Sequence, residues 1–173
     1  MSRNRLFGAV AMQAAPPATA PVQASRVKPV AAEMMKDPKY GTAAEIMARP
    51  AAGLTAILQD SGSSVYARAK ACQRLAVVGD KSAVPALAPM LAHAQLSVYA
   101  RTALENVPDS SANDALRAAL GTLQGSLLAG VINSIGKRRD TAAIGALEKL
   151  RHHADVTISG AANAALARIR PSM

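Results

Sequence analysis

The chain has 173 residues, of which 50% are hydrophobic and only 2% aromatic, and its formal charge at pH 7 is +9. A single cysteine excludes an internal disulfide framework. The lack of tryptophan argues against the aromatic platforms on which single-strand nucleic-acid binders stack bases. The length is enough to bury one continuous core.

The first segment, residues 1–41, is rich in alanine and contains five prolines, a composition typical of a leader or a disordered linker. Two arginines followed by a short apolar run at 6–12 are typical of a weak export signal, with residues 1–24 as the candidate signal peptide. An ordinary tail explains the same residues equally well. Export to the periplasm and a cytoplasmic location therefore both remain open.

Beyond residue 41 the sequence repeats itself. The pattern D-x-x-A-x-x-A-L begins at Asp80, Asp109 and Asp140, which are 29 and 31 positions apart. The pentapeptide S-V-Y-A-R begins at Ser64 and again at Ser97, so the two patterns alternate along the chain. Self-similarity at this period is the signature of stacked repeat proteins. The alternation predicts helical hairpins of about 30 residues each.

The spacing of apolar residues predicts the helices in chain order. Each repeated aspartate precedes a second helix, where its carboxylate accepts a hydrogen bond from a free backbone N–H and meets the positive end of the helix dipole. The last helix has no partner after it, so the stack ends on half a unit. The expected elements are short helices near 42–48 and 51–60, hairpins at 65–93, 98–121 and 124–153, and a single helix at 157–169.

The stretch V-G-D-K-S-A-V-P-A-L at 78–87, preceded by S-V-x-A-R, resembles the short HEAT-like repeats first associated with phycobilin lyases and seen in many bacterial proteins. The resemblance implies an all-α fold, a right-handed α-solenoid of HEAT-like helical hairpins over residues 42–170. Residues 103–109 and 128–140 also resemble HEAT-repeat segments of large exported bacterial proteins. That second resemblance implies an accessory or scaffold segment and transfers no catalytic residues.

The repeated pentapeptide places Tyr66 and Tyr99, and likewise Arg68 and Arg101, at equivalent positions. These side chains either form a ladder on one surface that recognises a partner or make contacts between units. In the second interpretation each tyrosine packs between units and each arginine bonds to a turn carboxylate or carbonyl of a neighbour. We favour the internal contacts, and we interpret Cys72 as a small buried apolar residue of a first helix.

The positive charge is spread along the chain, and its densest point is the run Lys137, Arg138 and Arg139 in the turn before Asp140. Relative to the first unit this turn is three residues longer. Turns of a stacked repeat project to an edge, so the run is a candidate site for an acidic partner or a phosphate. A solvated loop is the alternative.

The sequence contains no pattern typical of an enzyme or a metal site. His152 and His153 are adjacent, so on a helix their side chains point about 100° apart and do not hold one ion jointly. The repeated aspartates recur once per unit, which is too far apart to share a cation. Residues 118–136 are uncharged but contain glycines and polar residues that argue against a membrane span. We therefore expect no catalysis, cofactor, metal or transmembrane segment.

The sequence thus predicts a non-catalytic protein–protein interaction or scaffold module with an unidentified protein partner. The resemblance to HEAT-type stacks, in which the second helices line the concave side, implies contact residues at the exposed positions among 82–93, 112–120 and 141–152. One alternative is a basic solenoid that binds nucleic acid or another polyanion, with affinity that falls steeply with salt. The other is an accessory subunit of a lyase-like or sugar-processing enzyme assembly, inactive alone. Besides the basic turn, the candidate binding residues are Arg117, Lys149 and Arg151.

Overall fold

The computed structural model describes residues 35–170, and this part of the chain is mostly helical, which confirms the predicted all-α class. One short antiparallel β-hairpin precedes the helices. Three 3-10 turns, Lys81–Ala83, Ala88–Ala92 and Thr141–Ala143, flank the shorter helices. The elements are β1 Lys36–Asp37, β2 Gly41–Thr42, α1 Ala43–Met47, α2 Ala51–Gln59, α3 Val65–Val78, α4 Val84–Leu87, α5 Ser97–Asn106, α6 Ser110–Ala119, α7 Gly125–Lys137, α8 Ile144–Leu150 and α9 Val156–Ile169.

The helices lie where the apolar spacing predicts them, with one difference in the first hairpin. Its second helix is a single turn of α-helix, α4, between two 3-10 segments. Pro85 and Pro89 explain the difference, because neither has a backbone N–H to donate and each ring crowds the preceding turn. The other second helices, α6 and α8, contain no proline.

The repeated aspartates cap helical segments as predicted. The carboxylate of Asp80 accepts from Ser82 N at 2.8 Å, that of Asp109 from Ser111 N at 2.9 Å, and that of Asp140 from Ala142 N at 3.2 Å. For the first two carboxyls, hydrogen bonds from the serine two positions on lower the pKa below its usual value. Each hairpin therefore turns at a carboxylate that stabilises the start of its second segment.

The folded part begins before the boundary expected at residue 42. Asp37, only 2% exposed, accepts from Ser64 N at 3.0 Å with one oxygen and from Lys39 N and Tyr40 N with the other. Burial raises the pKa of Asp37, but the hydrogen bonds from Ser64, Tyr40 and Lys39 outweigh it and lower the pKa to about 2. The hairpin is thereby fixed to the start of α3. The remainder of the expected leader, including the candidate signal at 1–24, lies outside the described residues.

The first helices of successive units, α3, α5, α7 and α9, pack one against the next. The contact between α7 and α9 is close, since a Cβ added to Gly136 would lie 2.7 Å from Ala165 Cα. The large side chains of α9, such as Ile158 and Leu166, are buried. Thr157, Gly160, Asn163 and Ala167 are among its exposed residues. The last helix therefore closes the core and turns a small or polar face outward, apart from Val156 at its start.

Between residues 35 and 170, no helix combines the length and the apolarity that crossing a bilayer requires.

Candidate binding surfaces

The arginines of the repeated pentapeptide are used inside the protein. Arg68 donates to Asp60 O at 2.7 Å, at the end of α2, whereas Arg101 donates to Gly130 O at 3.1 Å in α7. A Cβ added to Gly130 would lie 2.8 Å from Arg101 Cζ, so the glycine makes room for this guanidinium. Equivalent arginines thus bond in opposite directions along the chain, one to the preceding unit and one to the following unit.

Arg117 of α6 joins two hairpins. Its guanidinium forms ion pairs with Asp114 on the same helix and with Asp140 in the turn before α8. The Asp140 side chain is 4% exposed and the Arg117 side chain 28%. The structure therefore gives this candidate binding residue two internal partners.

The basic turn does not form one exposed cluster as the sequence suggested. Lys137 donates to Glu105 Oε2 at 2.6 Å. The Arg138 guanidinium turns inward and donates to the carbonyls of Leu104, Glu105, Val107 and Asp109, and to Asn113. Arg139 is exposed and its side chain makes no hydrogen bond or ion pair within residues 35–170. Successive side chains of a helix end point in different directions, so Arg138 turns inward while Lys137 and Arg139 stay at the surface.

The last two candidate residues lie at the end of α8. Lys149 is exposed and has no ion pair or side-chain hydrogen bond to the described residues. Arg151 donates to Glu148 Oε2 at 3.1 Å and to Asn163 Oδ1 at 2.9 Å, which connects α8 with α9. The hydrogen bond from Arg151, followed by one from Arg170, lowers the pKa of Glu148. Of the two, only Lys149 has a side chain that the described residues leave unpaired.

Two grooves run between successive second segments. The first groove, about 290 Å³, lies between the 88–92 turn and α6. The second groove, about 400 Å³, lies between α6 and α8 and has Arg117 and Lys149 beside it. The first groove is lined by Ala88, Pro89, Leu91, Ala92, Ala115, Ala118, Ala119, Thr122 and Leu123, and the second by Arg117, Leu120, Gly121, Ala146, Lys149 and Leu150.

A larger depression, about 850 Å³, lies at the C-terminal ends of the first helices, away from the second-helix surface expected from the sequence. We call it the basic cleft. Sequence reasoning singled out Lys137 and Arg139 but missed Arg168, because α9 has no counterpart of the basic turn and the repeats do not align the two segments. The basic cleft is lined by Glu105, Asn133, Gly136, Lys137, Arg139, Ala167 and Arg168.

Two of the three histidines take part in turns, and the cysteine lies in the core. His93 Nδ1 accepts from Gln95 N at 3.3 Å, and His153 Nδ1 accepts from Asp155 N at 3.0 Å, so each closes a turn after a second segment. Cys72 is fully buried, and this burial raises the pKa of its thiol to about 12. Within residues 35–170 no three His, Cys, Asp or Glu side chains are grouped so that they could hold one metal ion.

No protein-family model matches the chain, and no curated protein matches it significantly. The surfaces described above are therefore the basis for assigning a function.

Proposed function

We propose that this protein is a non-catalytic interaction module, a right-handed α-solenoid of HEAT-like helical hairpins that binds a partner protein along its second helices. The observation that carries the proposal is the pair of grooves between successive second segments. A stack of hairpins presents such grooves once per unit, so a partner chain can contact several units at once.

Side-chain size explains why these grooves exist. Ala88 and Ala92 face Ala115 and Ala118 across the first groove, and none of these side chains fills the space between the two segments. Leu123 lies half-buried at the same groove and offers apolar surface to a ligand. Burial of such surface contributes about 25 cal/mol per Å², which makes an apolar side chain of a partner the natural occupant.

The charges of the second-helix surface favour a protein over a polyanion. A nucleic-acid binder needs a row of cations free to contact successive phosphates. Here Arg117 is paired with Asp114 and Asp140, and Arg151 with Glu148. Of the two cations that line the grooves, only Lys149 has no partner within residues 35–170, so the grooves carry no row of free cations.

The test is affinity capture with groove variants. The full chain is immobilised and exposed to extract of the source cell at near-physiological salt, with and without nuclease, and the bound proteins are identified. Ala118→Glu and Lys149→Glu place a carboxylate at the first and second groove. Thr102→Glu changes the charge by the same amount as Ala118→Glu, at an exposed position of a first helix, α5, and is the matched control for that variant. Circular dichroism is used to check that each variant keeps its helices.

We expect a nuclease-resistant protein to bind the unaltered chain and Thr102→Glu, and to be lost or strongly reduced with Ala118→Glu. A captured enzyme whose activity depends on the chain would identify the accessory-subunit form of this function. Retention of every protein by both groove variants would contradict the proposal. Recovery of nucleic acid alone, removed by nuclease, would replace it with polyanion binding.

A further inference from the structure

The basic cleft combines three cations with a single carboxylate at one edge of the molecule. Lys137, Arg139 and Arg168 line it together with Glu105. We infer that the basic cleft is a second binding site, in which Arg139 and Arg168 hold an acidic segment of a partner protein. This inference rests on the proposed interaction function and adds to it the chemistry of the partner.

Arg139 occupies a backbone position that normally favours glycine. Its φ is +53°, Arg139 N donates to Gly136 O at 3.1 Å, and Asp140 N donates to Ile135 O at 3.3 Å. This is the Schellman arrangement at the end of α7, in which the left-handed residue is usually glycine because a Cβ is strained there. An arginine at this position costs stability and places an exposed guanidinium at the cleft. Such strain is characteristic of functional positions.

The second guanidinium, that of Arg168, comes from α9, which packs closely against α7. Arg168 lies in the last turn of α9, and its side chain makes no hydrogen bond or ion pair within residues 35–170. The close contact of Gly136 with Ala165 fixes α9 against α7 near the basic cleft. Two guanidiniums without a partner among residues 35–170 therefore face one cleft from separate elements, and each can bind a carboxylate with two parallel hydrogen bonds.

The other charges of this edge are already balanced. Glu105 accepts from Lys137 Nζ at 2.6 Å and from Ser134 Oγ at 2.7 Å, and its side chain is 10% exposed. The carbonyls at the end of α5 would repel an anion. Arg138, however, donates to four carbonyls at the end of α5 and in the turn that follows it. The net charge available to a ligand is therefore that of Arg139 and Arg168.

An acidic protein segment fits these observations better than the other anionic ligands. Two guanidiniums beside a carboxylate that Lys137 already pairs make a short site, whereas nucleic acid requires a longer track of cations and, for single strands, aromatic side chains. The lining of the basic cleft contains no aromatic residue. Residues 1–34 of the chain itself carry four basic residues and one acidic residue, so their charge opposes binding in the cleft.

The test measures binding of labelled probes to the full chain by fluorescence anisotropy. The probes are a peptide of about ten Glu and Asp residues, a Gln and Asn peptide of the same length, and a single-stranded oligonucleotide of matched charge. The cleft variants are Arg168→Gln and Arg139→Gly. Lys81→Gln removes one positive charge from an exposed turn of the first hairpin and is the matched control. Thermal unfolding of each variant is measured in parallel.

We expect the acidic peptide alone to bind well, and each cleft variant to weaken it roughly tenfold, since each removes a charge-assisted bidentate contact. Lys81→Gln changes the affinity by less than about twofold. Arg139→Gly raises Tm by about 2 °C while it weakens binding, because glycine relieves the left-handed strain. Loss of affinity with a gain in stability is a combination that a damaged fold does not produce.

Three results would overturn the inference: no binding of the acidic peptide, equal affinity in the cleft variants, or tighter binding of the oligonucleotide. The groove variants Ala118→Glu and Lys149→Glu separate this site from the proposed function. Should they abolish partner capture while the acidic peptide binds nowhere, the acidic site alone is wrong. If instead the acidic peptide binds in the basic cleft while the groove variants still capture every partner, the groove proposal is wrong and the basic cleft remains.

Discussion

Replacement of Arg138 by alanine is expected to cost more stability than any other single change at the basic turn. The Arg138 guanidinium donates to Leu104 O at 2.7 Å, Glu105 O at 3.0 Å, Val107 O at 2.9 Å and Asp109 O at 2.9 Å. These carbonyls belong to the end of α5 and the turn that leads to α6. One side chain of the third hairpin therefore fixes the turn of the second.

The magnitude follows from the number and the kind of these bonds. A hydrogen bond to a charged donor contributes about 1.5–3 kcal/mol net. The four contributions do not add, because the site is only partly buried and water replaces the guanidinium at some of the carbonyls. We expect Arg138→Ala to lower the free energy of unfolding by about 3 kcal/mol, which for a chain of this size lowers Tm by about 6–12 °C.

The assay is thermal and urea unfolding of the full chain, followed by circular dichroism at the helix band. Arg139→Ala is the matched control, since it removes the neighbouring charge from an exposed side chain and should change stability by less than about 0.5 kcal/mol. Arg138→Lys should lose most of the same stability, because an ammonium does not span four carbonyls. A loss below about 1 kcal/mol for Arg138→Ala, or one no larger than that of Arg139→Ala, would refute the reasoning.

Gly136→Ala should destabilise the protein by about 1–3 kcal/mol, because its Cβ would lie 2.7 Å from Ala165 Cα. Gly145→Ala, whose Cβ has open space in α8, should instead stabilise by about 0.5–1 kcal/mol, and urea unfolding that gave both the same sign would be inconsistent with this packing. Because folding lowers the pKa of Asp37 from 3.8 to about 2, the ionised carboxylate stabilises the fold at pH values above 3.8, and this contribution is lost as the pH falls toward about 2. Asp37→Asn should therefore show a smaller loss of Tm between pH 5 and pH 2 than the unaltered chain, and equal losses would exclude the linkage. The buried thiol of Cys72, with its pKa raised to about 12, should react with a disulfide reagent at pH 8 only on unfolding, as judged by comparing rates with and without urea.

The helices and their caps could be predicted because both are local in sequence. The carboxylate of Asp80 accepts from the backbone N–H of Ser82, two positions on, so this cap can be recognised within three residues of sequence. The bond between Asp37 and Ser64 spans 27 positions and leaves no comparable trace. Composition alone therefore assigned the β-hairpin to the leader.

The repeats predicted where equivalent side chains lie in each unit, but not which groups those side chains contact. Arg68 and Arg101 stand at the same place in the same pentapeptide, yet one bonds to the preceding unit and the other to the following one. The difference arises at Gly130, where the third unit lacks a side chain and so admits the guanidinium of the second. The contact that each arginine makes thus depends on the residue that faces it in the neighbouring unit. A comparison of equivalent positions does not show which residues face one another.

The three adjacent charges of the basic turn have different surroundings in the fold. At the end of a helix, each residue is rotated by about 100° from the one before, and the Schellman turn reverses the direction once more. Lys137 therefore reaches Glu105, while Arg138 enters the space between two hairpins and Arg139 faces the basic cleft. In the sequence the three residues form one patch of charge, whereas in the fold the first two are used to hold adjacent hairpins together. Among residues 35–170, only the Arg139 guanidinium of the three has no partner, and the site that we infer depends on α9, which brings Arg168 beside the same cleft.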